Sequence, residues 1–254
     1  MHRFFAPALD PGDEAVTLPR DEGEHLTRVL RLGIGDTVSV FDGRGHEFLA
    51  RVTSARRRDV RVQIVSRVDP TAESSVHLTL VQSALKGDRM DEVIRDAVML
   101  GVGAVQPVVT KRSEVTVAAL LRGGRVDRWR RVALASAKQS RRAVLPEVRT
   151  PLAFDTYLLE PRPALALMMV EPAAAGEVES VKAEVESMRA LRRETPPTEA
   201  VLLVGPEGGW DPAETQLARS HGVRLISLGP RTLRADAVPV AAISVLQFLW
   251  DELS

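Results

Sequence analysis

"LLVGPEGGWDPAE", from Leu202 to Glu214, decides how the chain is read. An apolar run suited to a buried strand stops at Gly205-Pro206-Glu207-Gly208-Gly209, and Asp211-Pro212-Ala213-Glu214 then opens a helix. The opening is well made, with Asp211 at the N-cap, proline at the first helical position and Glu214 placed to complete a capping box. The glycines between strand and helix allow positive φ or a close approach of backbone to ligand. In open α/β sheets, ligands bind beyond the carboxyl ends of the strands. The spacing fits neither GxGxxG nor a Walker loop, and no GK[ST] follows. Dinucleotide and phosphate cradles of those kinds are therefore disfavoured, and a plain tight turn remains the simplest local alternative.

A second element repeats the pattern. "VRLISLGPRTLRADAVPVAAISVLQ" begins as an apolar strand, ends in Leu228-Gly229-Pro230 and passes through Arg231 and Arg234. It continues into a helix with Val238, Ala241, Val245 and Leu249 expected on one face. Two neighbouring strands that both end in Gly-Pro, each close to arginines, imply one pocket rimmed by backbone groups.

Working outward, the chain from about residue 75 alternates strand and helix. "HLTLVQSA", "GAVQPVVT", "ALALMMV" and "AVLLVG" are apolar runs of the kind that parallel sheets bury on both faces. "DRMDEVIRDAVMLG" predicts an amphipathic helix with Met90, Val93, Ile94 and Ala97 inward, Asp88 as cap and Gly101 as stop. "RVDRWRRVALASAKQS" predicts a helix with a basic side, and "GEVESVKAEVESMRALRRETPP" an exposed helix followed by a loop. The class is α/β with helices covering a mostly parallel sheet.

The first 70 residues read differently. "DTVSVFDGRGHEFLARV" predicts two strands around Asp42-Gly43, and "DVRVQIV" alternates with Val60, Val62 and Ile64 on one face. "GEHLTRVLRL" is a short helix before them. Short strands with one helix suggest a small β-barrel, decorated by Arg28, Arg31, Arg56, Arg57, Arg58 and Arg61. "RVDPTAESS" reads as the linker. Two domains are expected, at 1–70 and 75–254.

The chain has 254 residues, 44% hydrophobic and 27% charged, with formal net charge zero and no cysteine. That composition is ordinary for a globular protein, excludes disulfides and thiolate metal sites, and fits a reducing cytoplasm. No apolar run reaches membrane-spanning length, and no apolar leader stands at the N-terminus. The five histidines are scattered without metal spacing, so no metal site is expected. The charge is unevenly spread: Lys111 to Thr150 carries 11 Lys and Arg against three Asp and Glu. Such a stretch is either a solvated helix face or the footprint of a polyanion.

The two Gly-Pro segments together resemble the bacterial 16S ribosomal RNA uracil-N3 methyltransferase family of the SPOUT, or trefoil-knot, superfamily. "MHRFFAP" and "HLTRVLRLGIGD" are similar to that family's PUA-like N-terminal domain. "LKGDRMDEVIRDAVMLGV" and "RWRRVALASAKQSRRAVLPEV", around Gln139-Ser140, resemble segments of its catalytic part. The likeness runs over nearly the whole chain. It departs where the family has Leu-Arg-Thr-Glu-Thr-Ala and this chain has Leu233-Arg234-Ala235-Asp236-Ala237-Val238. Asp96 and Met99 replace a customary lysine and glutamate, Lys138 stands where glutamate is common, and Arg141 where glycine is common.

The resemblance implies a deep trefoil knot in the C-terminal domain, a homodimer and S-adenosylmethionine as methyl donor. The donor would meet Leu203, Gly205, Pro206, Glu207, Gly208, Gly209, Leu228, Gly229 and Leu233. Arg234 would stabilise charge on the uracil oxygens, and Asp236 would act with it, either as base or as N-cap of the last helix. RNA would meet Arg3, Arg28, Arg31, Lys111, Arg112, Lys138, Gln139, Ser140, Arg141 and Arg142. Trp210 is placed near the pocket or in the core. The alternatives are a related enzyme acting on transfer RNA or a ribose 2′-hydroxyl, and an assembly protein with impaired catalysis.

Overall fold

The computed structural model describes residues 1–56, 59–171 and 185–252. The chain forms two compact units, one of Met1–Glu73 with Ala137–Leu145, the other of Ser74–Ser136 with Pro146–Ser254.

The first unit carries a five-stranded sheet in the order β1-β3-β4-β5-β2. Its strands are β1 (Arg3–Phe5), β2 (Ala15–Thr17), β3 (Thr37–Phe41), β4 (Glu47–Arg56) and β5 (Asp59–Val68). Strands β3 and β4 form the hairpin expected around Asp42-Gly43, with Gly43 at φ +78°. The hydrophobic alternation of β5 buries Val60 and Val62 against Phe4, Leu26, Val38 and Val52. The expected helix is split into α1 (Arg20–Glu24) and a π-helical turn at His25–Val29. Arg57 and Arg58 lie outside the described residues.

The second unit carries an eight-stranded sheet, all of its pairings parallel. Its strands are β6 (His77–Ser83), β7 (Ala104–Val109), β8 (Glu147–Val148), β9 (Leu152–Ala153), β10 (Leu165–Met169), β11 (Glu186–Ser187), β12 (Glu199–Val204) and β13 (Arg224–Ser227). The order β11-β13-β10-β12-β6-β7-β8, with β9 also on β7, puts the four long apolar runs at the centre. There both faces are buried, so each strand reads as continuously apolar and not as alternating.

The helices of this unit are α2 (Arg89–Met99), α3 (Val117–Arg122), α4 (Arg125–Gln139), α5 (Phe154–Leu158), α6 (Pro212–Ser220) and α7 (Ala237–Leu249); the last residues of α4 enter the first unit. Helix α2 buries Met90, Val93, Ile94 and Ala97 as its periodicity predicts. Asp88 stands at its N-cap but does not cap; its carboxylate accepts from Arg128 at 2.7 Å instead. Helix α6 opens with the full capping box: Asp211 accepts from the Ala213 N–H, and Glu214 accepts from the Asp211 N–H. The inward face of α7 is Pro239, Ala242, Ile243, Leu246 and Gln247, not the face carrying Val238, Ala241, Val245 and Leu249, which stays half-buried. The helix is apolar nearly all round, so its sequence does not mark an inward side. Of the helix and loop expected in 176–197, residues 176–184 lie outside the described residues; in the rest, Glu186–Ser187 is a strand and Met188–Arg193 a 3₁₀ turn.

Candidate functional site

The two Gly-Pro strands, β12 and β13, are not neighbours: β10 lies between them and pairs with both. The pocket therefore has three strand tips, not two. A cavity of about 410 Å³ opens there, within the range of small-molecule sites. Val204 to Glu207 line it after β12, Leu228 and Gly229 after β13, and Met169, Val170 and Glu171 at the end of β10. The loop Arg231–Ala235, Val238 and Arg89 of α2 complete the lining.

Three glycines give this wall its shape. Gly209 and Gly229 hold φ of +67° and +110°, a region that side-chain-bearing residues rarely enter. Gly205 is tightly covered: a Cβ would sit 3.1 Å from the Trp210 indole and push it aside. That indole packs at 5.0 Å between ring centroids on Phe154 and donates from Nε1 to the Met169 carbonyl at 2.8 Å. Trp210 is thus a core residue and a pocket residue at once.

Charged side chains ring the mouth. Glu207 accepts from the Lys86 N–H at 3.0 Å and from Arg89 at 3.1 Å. Arg234 grips Asp236 through two nitrogens, at 3.1 and 2.6 Å, and Arg89 Nε lies 3.8 Å from the same carboxylate. Asp236 occupies the N-cap position of α7 but accepts no hydrogen bond from the helix, because Arg234 holds it. Lys111 pairs with Asp211 at 2.9 Å, and that hydrogen bond, with the Ala213 N–H, lowers the Asp211 pKa.

Of the residues expected at the donor, Gly205, Pro206, Glu207, Gly209, Leu228, Gly229 and Leu233 line the cavity. Leu203 does not; it is fully buried among apolar neighbours of the sheet. Gly208 presents its carbonyl to Arg112 at 2.8 Å instead of to the cavity. Arg234 lines the cavity, while Asp236 stands behind it. Met169, Val170, Glu171, Arg89 and Thr232 join the wall without having been expected. The run "ALALMMV", Ala164 to Val170, marked a buried strand but no Gly-Pro end, and strand order is not written in local sequence.

The basic residues expected at RNA divide into two groups. Arg3 is nearly enclosed within the first unit; it pairs with Glu47 at 2.8 Å, donates to the carbonyls of Ala137, Lys138 and Arg142, and stacks on Phe41. Arg142 is buried on Glu73, and Lys138 is held by both oxygens of Glu22 at 2.8 Å. Arg3 and Arg142 are structural ion pairs, a correction to their place as RNA contacts: burying a cation demands a partner, and each has one. Arg28, Arg31, Lys111, Arg112, Gln139 and Arg141 are exposed and Ser140 is half-buried. Arg141 has φ +63°, in the left-handed region that favours glycine. On α4, Arg128 is occupied by Asp88 and Asp91.

Among the described residues no cluster of three or more His, Asp or Glu is placed to hold a metal, and no helix is long and apolar enough to cross a membrane.

An RNA methyltransferase domain model matches residues 72–247, and an RNA methyltransferase PUA domain model matches 18–65. The chain belongs to the RNA methyltransferase family that these two models define. More narrowly, it is 31% identical to the ribosomal RNA small subunit methyltransferase E of Synechocystis, over 94% of this chain and 75% of that one. It is equally identical, at 31%, to the protein of that name from Mycobacterium tuberculosis, over 98% of this chain and 93% of that one. The Neisseria gonorrhoeae ribosomal RNA small subunit methyltransferase E, solved bound to S-adenosyl methionine, superposes with a TM-score of 0.86 at 30% identity, covering 98% of each chain.

Proposed function

We propose that this protein transfers a methyl group from S-adenosylmethionine to N3 of a specific uridine in the 16S ribosomal RNA of the small subunit. The observation that carries the reading is the cavity at the tips of β10, β12 and β13, walled by Gly205, Gly209 and Gly229. These residues fit the donor: the turns offer backbone N–H and C=O groups to an adenine edge and a ribose, and Glu171 suits a ligand with a cationic group. When bound, the donor supplies an electrophilic methyl group on a sulfonium.

The chain's own part is to hold and to neutralise. Gly205, Gly209, Leu228, Gly229 and Leu233 hold the donor in one orientation, and fixing two reactants can supply about 7–11 kcal/mol of the barrier in favourable cases. Uracil N3 gives up its imide proton to solvent and charge spreads onto O2 and O4; N3 would then take the methyl group as the S–CH3 bond breaks and S-adenosylhomocysteine leaves. Arg234, 73% exposed at the cavity rim, is placed to answer that charge. Asp236 positions the guanidinium through its two-point contact. The target base is splayed out of the RNA to reach the rim, and Arg28, Arg31, Lys111 and Arg141 meet phosphates.

The names of the relatives support ribosomal RNA of the small subunit as substrate, and a cytoplasmic protein is the consistent location. A homodimer through the second unit is part of the same reading; Phe248 of α7, 71% exposed, supports it. The domain reading is a PUA-like RNA-binding part at 1–70 and a knotted SPOUT part at 75–254.

The test is methyl transfer in vitro to small subunits lacking the modification, with the product nucleoside read by mass spectrometry. N3-methyluridine is expected. Transfer to a ribose hydroxyl or to transfer RNA alone would overturn the reading.

A further inference from the structure

We propose that Glu171 is a binding residue for the methyl donor, and that it reads the donor's α-ammonium group. The inference rests on the proposed donor and extends it to a residue that neither the turn motifs nor the basic stretch indicated.

Glu171 stands two residues beyond the end of β10, the strand between β12 and β13, and lines the cavity. Its carboxylate lies over the second glycine turn, where a Cβ built on Gly209 would come within 3.2 Å of Glu171 Oε1. The glycine at 209 thus leaves room for a carboxylate directed to this side of the cavity.

The other acids near the site are already engaged. Glu207 is held by Arg89 and the Lys86 N–H, and Asp236 by Arg234. Asp211 pairs with Lys111. Glu171 has no hydrogen bond or ion pair with another described residue. A half-buried carboxylate without a cation is suited to a ligand that brings one. Three guanidinium groups line the cavity: Arg89 is held by Glu207 and Arg234 by Asp236, which leaves Arg231. A zwitterionic amino-acid end matches this division, with its ammonium toward Glu171 and its carboxylate toward Arg231. A carboxylate can also accept from ribose hydroxyls, and methylthioadenosine, which keeps the ribose, separates that contact from one to the ammonium.

The experiment is calorimetric binding to the full chain, with two ligands and two proteins. The ligands are S-adenosylmethionine and 5′-methylthioadenosine, which keeps adenine and ribose but lacks the amino acid. The proteins are the unaltered chain and Glu171→Gln, which keeps the size and removes the charge. S-adenosylmethionine should bind Glu171→Gln about 10- to 100-fold more weakly, the effect of losing a charge-assisted hydrogen bond, and methylthioadenosine should bind both proteins alike. Equal S-adenosylmethionine affinity for both proteins overturns the role of Glu171. Parallel losses for both ligands overturn the ammonium assignment, whether they come from a ribose contact or from a collapsed cavity. Failure of S-adenosylmethionine to bind the unaltered chain would instead overturn the donor reading itself. A comparison on the unaltered chain alone needs no variant: S-adenosylhomocysteine should bind more tightly than its deaminated analogue, and equal binding overturns the inference.

Discussion

Trp210 Nε1 donates to the Met169 carbonyl oxygen at 2.8 Å, a hydrogen bond that ties the turn after β12 to the end of β10. The same indole limits Gly205 and packs on Phe154. One side chain therefore sets the spacing of two of the three strand tips around the cavity.

Replacing Trp210 with phenylalanine keeps an aromatic ring but leaves the Met169 carbonyl without this donor. A loss of about 1–3 kcal/mol is expected for an unpaired buried group. Trp210→Ala should cost about 3–5 kcal/mol. Urea unfolding measures both, and calorimetry should show donor affinity falling in the same order.

Gly209→Ala places a Cβ at φ +67° and 3.2 Å from Glu171 Oε1. Left-handed backbone costs a non-glycine residue about 1–2 kcal/mol. The variant should stay folded by circular dichroism and bind the donor more weakly; unchanged affinity would show that this turn is remote from the ligand.

Arg234→Ala should lower the single-turnover methyl-transfer rate by about 10²–10³-fold, the range seen when one group stabilising a developing oxyanion is removed. Donor affinity, measured by calorimetry, should change little. A variant as fast as the parent would remove Arg234 from the chemistry.

Glu47 gives a pH prediction. Burial pushes its carboxyl pKa up, but hydrogen bonds from Arg3 and Ser39 outweigh that and bring it below the ordinary value of 4.5. A carboxyl depressed in the folded state stabilises fully above its unfolded value, and that stability is lost as pH falls through the folded one. Urea midpoints should therefore drop as pH is lowered from about 5, and Glu47→Gln should drop less over the same window. Arg3→Ala, which strands the buried carboxylate, should cost about 3–5 kcal/mol at neutral pH.

Arg141 carries backbone strain in exchange for an exposed charge at φ +63°. Arg141→Gly should raise stability by about 1 kcal/mol and weaken RNA binding. The salt dependence of binding should lose about one unit of slope, the share of one phosphate contact. An unchanged slope would place RNA elsewhere.

Local sequence determined those parts of this protein that depend on contacts a few residues long. The α6 capping box needs only Asp211, Pro212 and Glu214; the β3–β4 hairpin needs Asp42-Gly43; the inward face of α2 follows from a 3.6-residue period. The continuous apolar runs likewise announce strands buried on both faces. Tertiary structure decided what depends on neighbours distant in the chain. The insertion of β10 between β12 and β13 brings Glu171 and Met169 into the site, and no local pattern encodes strand order. The same holds for charge. Arg3, Arg142 and Arg141 look alike in sequence, but two are enclosed by Glu47 and Glu73 while the third faces solvent. A guanidinium acts on a partner only through the space the fold leaves it, and for Arg3 that space is made by residues 44 to 139 positions away.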